Sequence, residues 1–441
     1  MARSGSEDAD RARPAPALVL AGRALLRGRL QPVEIAIDAN GRIESVGKVR
    51  AGPNRRDVGD AVILPAATDL HVHLREPGGP AGSESIPSGT LEAALGGVTL
   101  VGDMPNTSPP VEDREAVESK AARVRGRAAV DVLLYAAATR PGALEGLSRV
   151  AGGFKLFLSP TTGIDEVLAP AEVRGRLERL ARLGLPVAVH AEAPERFVPG
   201  VAGRDPAEWN ARRPKVSETV AIDRLLPPPP PLRLHVAHVT HAEPIRRLAE
   251  AGLSFEATPH HLLLSERSGR DPRFKVNPPL RSEADRRGLW DAFVRGEIPI
   301  LASDHAPHPL ETKELPFEKA PSGMPGVETM LPLLLARVRA GDLALATLVA
   351  ATADRPARWL GQSLGRIAPG HRANLLVVDF RQRTRLDARR LHAPCGWTAF
   401  EGHEAIFPRE HYRDGERIVE DGEYVGRPSG VVVRPEYARG Q

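Results

Sequence analysis

The chain has 441 residues, 41% of them hydrophobic, which is enough for one large domain and a smaller one. Its formal net charge of +4 is not gathered in a long basic run, which argues against nucleic-acid binding and suits a small anionic substrate. The single cysteine excludes an internal disulfide framework and favours a cytoplasmic protein, and no apolar stretch reaches the ~18 residues that span a membrane.

The two ends of the chain predict a small β domain. Residues 1–16 lack the apolar core of a secretory signal and are expected to form a disordered tail. Residues 17–64 include "VEIAIDANGRIESVG", which is typical of a hairpin that turns near Asn40, and residues 363–441 become β-like again. We expect 17–64 and 363–441 to form one composite β-sandwich domain.

The middle of the chain, residues 65–362, alternates strand-like apolar runs with helical stretches. The strand-like runs are 63–73, 97–103, 129–137, 153–158, 185–192, 232–239, 253–258 and 298–304. Helical stretches such as "AEVRGRLERLARLG" lie between them. Eight such alternations predict a TIM (β/α)8 barrel, an α/β fold whose active site forms at the carboxyl ends of its strands.

Potential metal ligands stand at the ends of several predicted strands. His71 and His73 share a face of the first strand because they are two residues apart. Taken alone, an HxH pair is about as typical of a surface pair or of a hydrogen-bonded core pair as of a metal site. His190 and His238 lie near the ends of the fifth and sixth strands, and Asp304 follows the eighth. Imidazole and carboxylate both bind zinc, so together they predict a metal site.

Lys155 lies inside the fourth predicted strand, in "GFKLFL". A structural interpretation is that its ammonium group extends to water. However, the chain has only seven lysines and uses arginine for nearly every other cation. A desolvated lysine has a lowered pKa and can react with CO2 to form a carbamate, whose oxygens could bridge two metals. Spacing alone does not establish that modification.

Polar residues on neighbouring loops predict a substrate pocket. Arg75 follows the first strand, and a guanidinium group can bind a carboxylate in a bidentate manner. Asn106 and Asn277 lie on later loops, where each taken alone is more typical of a turn. In "SDHAPH", at least one of His305 and His308 can be purely structural. Together these groups favour a small molecule with a carboxylate and ring amides.

The ordered motifs of the chain resemble those of dihydroorotase, a family of cyclic amidohydrolases. They include "DLHVHLREPG", "GDMPNTSPP", "VAVHAE", "LHVAHVTH", "KVNPPLRSEADR" and "ASDHAPHPLETKELPFEKAPSGMPGVET", between about residues 60 and 430. The resemblance implies reversible, zinc-dependent hydrolysis of (S)-dihydroorotate to N-carbamoyl-L-aspartate, the third step of pyrimidine biosynthesis.

The resemblance also implies a role for each candidate residue. The metal ligands would be His71, His73, Lys155, His190, His238 and Asp304. Asp304 would also be the catalytic acid and base, while Arg75, Asn106 and His308 would hold the substrate and Asn277 would border it. His238 is preferred over its neighbours because it matches the second histidine of the family's "HxxH" stretch.

The bridge between two zinc ions is the point at which the chain departs from some relatives. Some bacterial dihydroorotases have a bridging aspartate in "FSDDG", whereas this chain has "FLSPTTG". The bridge is therefore assigned to carboxylated Lys155, and a single-metal site is the alternative. The loop 159–163 is expected to be mobile beside the substrate.

Two other functions stay open at this point. Allantoinase and hydantoinase share the metal set, although "HLREPG" followed by "MPNT" favours a substrate carboxylate. A non-catalytic, dihydroorotase-like partner of aspartate transcarbamoylase typically lacks metal ligands, and none is missing from this sequence. An active enzyme could still associate with that partner or form a homo-oligomer.

Overall fold

The computed structural model describes most of the chain. The described residues are 15–49, 52–79, 83–162, 164 and 167–438. Nearly all of the predicted tail, residues 1–16, lies outside these ranges. Within them, no helix combines the length and the apolar character that a membrane span requires.

The described residues form nineteen strands and thirteen α-helices. The strands are β1 Leu18–Leu26, β2 Arg29–Ile37, β3 Ile43–Gly47, β4 Arg55–Pro65, β5 Ala67–Val72, β6 Val98–Asp103, β7 Asp131–Ala137, β8 Gly153–Phe157, β9 Val187–His190, β10 Leu234–Val236, β11 Ser254–Ala257, β12 Ile300–Leu301, β13 Leu375–Val378, β14 Thr384–Arg385, β15 Glu404–Ala405, β16 Glu410–Arg413, β17 Glu416–Glu420, β18 Glu423–Tyr424 and β19 Val432–Val433. The helices are α1 Ile86–Leu95, α2 Arg114–Val124, α3 Leu144–Ser148, α4 Val173–Leu183, α5 Pro206–Arg212, α6 Lys215–Leu225, α7 Ile245–Glu250, α8 Pro259–Leu263, α9 Glu283–Val294, α10 Leu310–Lys313, α11 Met330–Ala340, α12 Leu345–Val349 and α13 Arg355–Trp359.

Local sequence determines where several helices begin and end. The side chains of Asp113 and Ser282 accept hydrogen bonds from the first turns of α2 and α9 and so satisfy free backbone amides. Helices α4 and α11 end at Gly184 and Gly341, whose φ angles of 69° and 87° lie in the left-handed region that glycine adopts without strain. These residues therefore set the ends of their helices.

Strands β5 to β12 form a parallel barrel in sequence order. Strands such as β6 and β7 are buried at every residue, because helices cover the outside of the barrel while side chains fill its interior. Strand β12 approaches β5 through a parallel bridge between Val72 and His305, and the His73 amide donates to the His305 carbonyl at 2.8 Å. The predicted TIM barrel is therefore confirmed.

The first predicted strand, 63–73, is divided between two sheets. Residues up to Pro65 belong to β4, outside the barrel, and β5 begins at Ala67. The residue between them, Ala66, donates its amide to the Asn374 carbonyl at 2.9 Å, which fixes the crossing point. The sequence does not show this boundary because the last five residues of β4 and all of β5 are buried.

The predicted small β domain is present as an eight-stranded sheet built from both ends of the chain. Its strand order is β18-β17-β16-β13-β4-β1-β2-β3. Strand β13 pairs antiparallel with β4, so the two chain ends meet in the middle of the sheet. Leu20, Ile35 and Leu375 belong to a hydrophobic core of this sheet that is separate from the barrel core. The sheet is the β domain that the two end segments predicted.

The division into 17–64, 65–362 and 363–441 remains a prediction. Within the last of these segments, β19 pairs in parallel with β7 of the barrel, and β14 pairs with β15 in a separate ribbon. The C-terminal segment therefore contacts the barrel directly as well as completing the terminal sheet.

Candidate metal centre and substrate pocket

The residues predicted as metal ligands lie together at the carboxyl ends of the barrel strands. They are His71, His73, Lys155, His190, His238 and Asp304, and all of them are buried. The Nε2 atoms of His71 and His73 each lie 3.2 Å from Asp304 Oδ1. Lys155 Nζ lies 3.4 Å from His71 Nε2. Potential ligand atoms of His71, His238 and Asp304 all lie within 4.8 Å of one another.

The second half of this centre is a pair of histidines from neighbouring strands. His190 Nδ1 lies 3.0 Å from His238 Nε2, and the two ring centroids are 4.7 Å apart. The other nitrogen of His190, Nε2, lies 2.8 Å from Glu192 Oε2. Arg213 donates to both oxygens of Glu192, and in spite of burial it holds the pKa of that carboxyl well below its usual value. Glu192 is therefore a carboxylate, and it accepts a hydrogen bond from His190 Nε2.

A second buried carboxylate orients His71 in the same way. Glu256 Oε1 lies 2.6 Å from His71 Nδ1, and Glu256 Oε2 lies 2.8 Å from His235 Nε2. Because a carboxylate only accepts, both histidines donate to it, and the Nε2 lone pair of His71 faces Asp304. His235 thus has a structural role, which agrees with the preference for His238 as the ligand.

The histidines are in the protonation state that metal binding requires. Burial lowers the pKa of His71 to about 4 and holds the pKa values of His73 and His238 well below their usual range. These imidazoles are neutral near pH 7, so they have lone pairs to donate. Neutral imidazoles and a carboxylate at these separations are a donor set that fits Zn²⁺.

Burial also changes the two remaining groups of the centre. It lowers the pKa of Lys155 to about 8, although the nearby carboxyl groups of Glu256 and Asp304 act in the opposite direction. It raises the pKa of Asp304 to about 8, although Lys155 opposes that change. A neutral amine and a protonatable carboxyl are thus both accessible near neutral pH.

The backbone of the site is strained at three of its residues. Arg75, His238 and Asp304 have φ angles of 54°, 39° and 47°, a region that residues other than glycine seldom adopt. Each follows a barrel strand, where the chain turns sharply away from the rim. Strain of this kind persists only where surrounding contacts hold it, and it is concentrated at functional sites.

The residues predicted to bind substrate lie beside the metal ligands. Arg75, Asn106 and Asn277 line the same cavity as the six candidate ligands. Arg75 Nη1 donates to the Asn106 carbonyl at 3.3 Å. Among the described residues, Arg75 Nε and Asn106 Oδ1 are buried without a hydrogen-bond partner, so they remain available to a ligand.

The two histidines after Asp304 have different surroundings. His305 is enclosed between Glu84, 3.1 Å from its Nε2, and the Gly326 amide, which donates to its Nδ1. His308 donates from Nε2 to the Ser322 carbonyl at 3.0 Å. Among the described residues, the cavity lining includes Ser322 but not His308. His305 is therefore the structural histidine, while His308 supports the wall of the cavity.

Part of the loop 159–163 reaches the cavity. Thr161 and Thr162 line it, and the Thr162 carbonyl accepts a hydrogen bond from Asn106 Nδ2 at 2.9 Å. Gly163 lies outside the described residues. The expected mobility of this loop stays a prediction.

Comparisons with known proteins agree with this geometry. The family model described as Dihydro-orotase-like matches residues 60–155. A dihydroorotase of Halobacterium salinarum is 37% identical over 94% of this chain and 99% of its own length. The chain belongs to the dihydroorotase family. Another member, a dihydroorotase of Archaeoglobus fulgidus, is 35% identical over 91% of this chain and 97% of its own.

Solved structures of other amidohydrolases share the fold of this dihydroorotase family member. An L-hydantoinase (dihydropyrimidinase) of Arthrobacter aurescens has a TM-score of 0.87 and 26% identity, with 95% of this chain and 99% of that chain covered. A dihydropyrimidinase of Brevibacillus agri has a TM-score of 0.83 over 95% and 98%, and its 24% identity shows the fold alone. Membership of the dihydroorotase family implies a metal cofactor, for which the buried histidines and Asp304 are the candidate ligands.

Proposed function

We propose that this chain is a dihydroorotase, which reversibly hydrolyses the ring amide of (S)-dihydroorotate to give N-carbamoyl-L-aspartate in the third step of pyrimidine biosynthesis. One observation carries the proposal: neutral imidazoles, Lys155 and Asp304 lie together in a buried cluster beside Arg75 Nε, which has no hydrogen-bond partner among the described residues. Relatives of the same length that are 35–37% identical are dihydroorotases. A cytoplasmic location follows from that pathway.

The cofactor in this proposal is a pair of zinc ions. The residues that would hold them are His71, His73, Lys155, His190, His238 and Asp304. Lys155 would bridge the pair after its neutral amine attacks CO2, forms an N–C bond and releases a proton. Bound zinc would polarise the ring carbonyl and lower the pKa of water.

The proton is carried by Asp304. Its carboxyl would accept a proton from the attacking water and return it to the ring nitrogen as the amide bond breaks. A pKa raised to about 8 by burial suits a group that must both take up and release a proton near neutral pH. The reverse sequence closes the ring of N-carbamoyl-L-aspartate, as biosynthesis requires.

The substrate is oriented by groups that do not touch the breaking bond. The guanidinium of Arg75 would bind the substrate carboxylate, and Asn106 Oδ1 would accept a ring N–H. Asn277 would border the same ring, and His308 would act on it through the Ser322 carbonyl that it binds. Fixing the ring at two points aligns its amide with the metal side of the cavity, which lowers the entropic part of the barrier.

Hydantoinase activity is the second candidate, because an L-hydantoinase shares 95% of this chain's length at a TM-score of 0.87. A spectrophotometric assay of the zinc-supplied protein against dihydroorotate, hydantoin and allantoin separates the candidates. We expect turnover of dihydroorotate with the other two rings left closed. Hydrolysis of hydantoin or allantoin but not of dihydroorotate would overturn the proposal.

The oligomeric state and the partners of the protein are separate from its proposed activity. Its small-molecule substrate requires no macromolecular partner. Formation of a homo-oligomer and association with aspartate transcarbamoylase stay predictions.

A further inference from the structure

Most lysines of this chain are buried, which is unusual for a cation that is normally exposed. The chain has seven lysines, and the four buried ones are Lys120, Lys155, Lys275 and Lys313. Lys120 pairs with Asp103, and Lys155 belongs to the candidate metal centre. Within the described part of the chain, neither Lys275 nor Lys313 forms an ion pair. Their buried ammonium groups therefore need another explanation.

Lys275 binds backbone carbonyls of one short segment. Its Nζ donates to the carbonyl oxygens of Phe317, Glu318 and Ala320 at 2.7, 3.2 and 2.8 Å. It also lies 4.4 Å from the ring centroid of Trp209, which supplies a cation–π contact. Three carbonyls and an aromatic face replace the water that the ammonium loses on burial.

Lys313 binds the same segment nearer its C-terminal end. Its Nζ donates to the carbonyl oxygens of Pro272 at 3.0 Å, Lys275 at 3.5 Å and Pro321 at 2.8 Å. The Lys275 carbonyl also accepts the amide of Gly323 at 2.9 Å. The two lysines thus join residues 272–275 to both ends of residues 316–323.

The segment 316–323, which we call the pocket wall, faces the candidate active site. Ser322 and Gly323 line the cavity. The Ser322 carbonyl accepts hydrogen bonds from His308 Nε2 at 3.0 Å and from Thr162 Oγ1 at 3.3 Å. On the other side of the lysine contacts, Asn277 lines the cavity two residues after Lys275. A shift of the wall would therefore move several predicted substrate contacts together.

We propose that Lys275 and Lys313 are positioning residues that hold the pocket wall in place, so that substrate affinity depends on two lysine side chains that do not touch the substrate. The proposal rests on the proposed function, because it concerns the same cavity. An ammonium group directs three donors from one tetrahedral centre, which matches carbonyls that converge on a point. The planar guanidinium of arginine cannot do so, which explains why an arginine-rich chain has lysine here.

The kinetic test uses Lys275→Met and Lys313→Met in the full-length, zinc-supplied protein. We expect KM for dihydroorotate to rise about tenfold in each folded variant while kcat changes less than about threefold, because orientation is lost but the metal centre is not. Lys275→Arg should not restore KM. The matched control is Lys319→Met, since Lys319 is an exposed lysine of the same wall and should leave both constants unchanged.

Hydrogen exchange tests directly whether the two lysines hold the pocket wall, while the rise in KM without a matching fall in kcat is the change that a merely structural role would not produce. In the unsubstituted protein the amides of Lys319, Ala320 and Gly323 donate to Pro316 and Lys275 carbonyls, so we expect slow exchange in the wall. The Met variants should accelerate exchange there while the barrel strands stay protected. Fast exchange of the wall in the unsubstituted protein would overturn the proposal even if neither variant folds.

The two proposals fail in different ways. Unchanged KM in folded Lys275→Met and Lys313→Met, even with lowered stability, would overturn the positioning role and leave dihydroorotase activity standing. An unsubstituted protein that does not open dihydroorotate would overturn the proposed function, while hydrogen exchange would still test whether the lysines hold the wall.

Discussion

Burial brings the pKa values of Lys155 and Asp304 close together, to about 8 in each case, from opposite directions. The amine loses its charge more easily and the carboxyl keeps its proton more easily, because both charged forms lose hydration. Lys155 could be recognised from the sequence as a functional candidate because the chain has only seven lysines. Glu256 could not, because its partner His71 lies 185 residues away and only barrel closure brings them together. The available signal is a charged residue, Glu256, between the buried apolar residues Phe255 and Ala257, since such a group needs a partner.

Substitution of Asp304 tests its proposed role as catalytic acid and base. Asp304→Asn removes the titrating oxygen but keeps a neutral side chain of similar size, so kcat for dihydroorotate should fall about a thousandfold. Bound zinc, measured by atomic absorption, should change little because the other ligands remain. Asp60→Asn at an exposed position is the control. Normal turnover in folded Asp304→Asn would reject the role of Asp304.

The ends of strands and helices set where the functional groups lie. The positions of the strand ends could be predicted because all strands of a parallel barrel point their carboxyl ends to the same rim. The contacts that hold the loops beyond those strand ends could not be predicted from the sequence. The loop after β10 is one example: the Thr240 amide donates to Glu218 Oε1 at 2.9 Å, and Arg281 Nη2 donates to Glu218 Oε2 at 3.4 Å. Helix α6 thus holds this loop at Thr240, two residues after His238.

Glu218→Gln tests this attachment through its pH dependence. Against the effect of burial, His241 and Arg281 lower the pKa of Glu218 from 4.5 to about 2. Its stabilising contribution is therefore complete above about pH 4.5 and disappears as the pH falls towards 2. Urea unfolding should show the variant about 3 kcal/mol less stable at pH 7, with a difference that shrinks on acidification. A difference that does not change with pH would contradict the assignment.

At the scale of the whole molecule, the C-terminal segment, residues 363–441, is joined to the barrel by buried charge. Asp131, at the start of β7, accepts hydrogen bonds from Arg372 at 2.6 Å and from Arg413 at 3.0 Å. Arg372 also binds Asp414 with two bonds of 2.6 Å. A composite β domain could be predicted from the sequence, but this junction and the two-residue strand β19 could not. A pair of residues carries no periodic pattern, and ion-pair partners far apart in sequence are chosen only by the tertiary fold.

Asp131→Asn should weaken this junction and lower the stability of the protein without changing its catalytic activity. Removing one partner of a buried charge network costs about 3 kcal/mol or more of unfolding free energy, because the arginines lose their counter-charge. Kinetic constants at 25 °C should be unchanged, since Asp131 lies at the amino end of its strand, away from the site. Glu118→Gln, in an exposed pair with Arg114, should cost less than about 0.5 kcal/mol in the same unfolding assay. Equal effects of the two substitutions would contradict the proposed junction.

The most direct test of the proposed metal centre is an anomalous-diffraction map recorded at the zinc absorption edge from crystals of the zinc-supplied protein. We expect two peaks among His71, His73, His190, His238 and Asp304, with continuous density from Lys155 Nζ reaching both. A map without an anomalous peak among these side chains would contradict it.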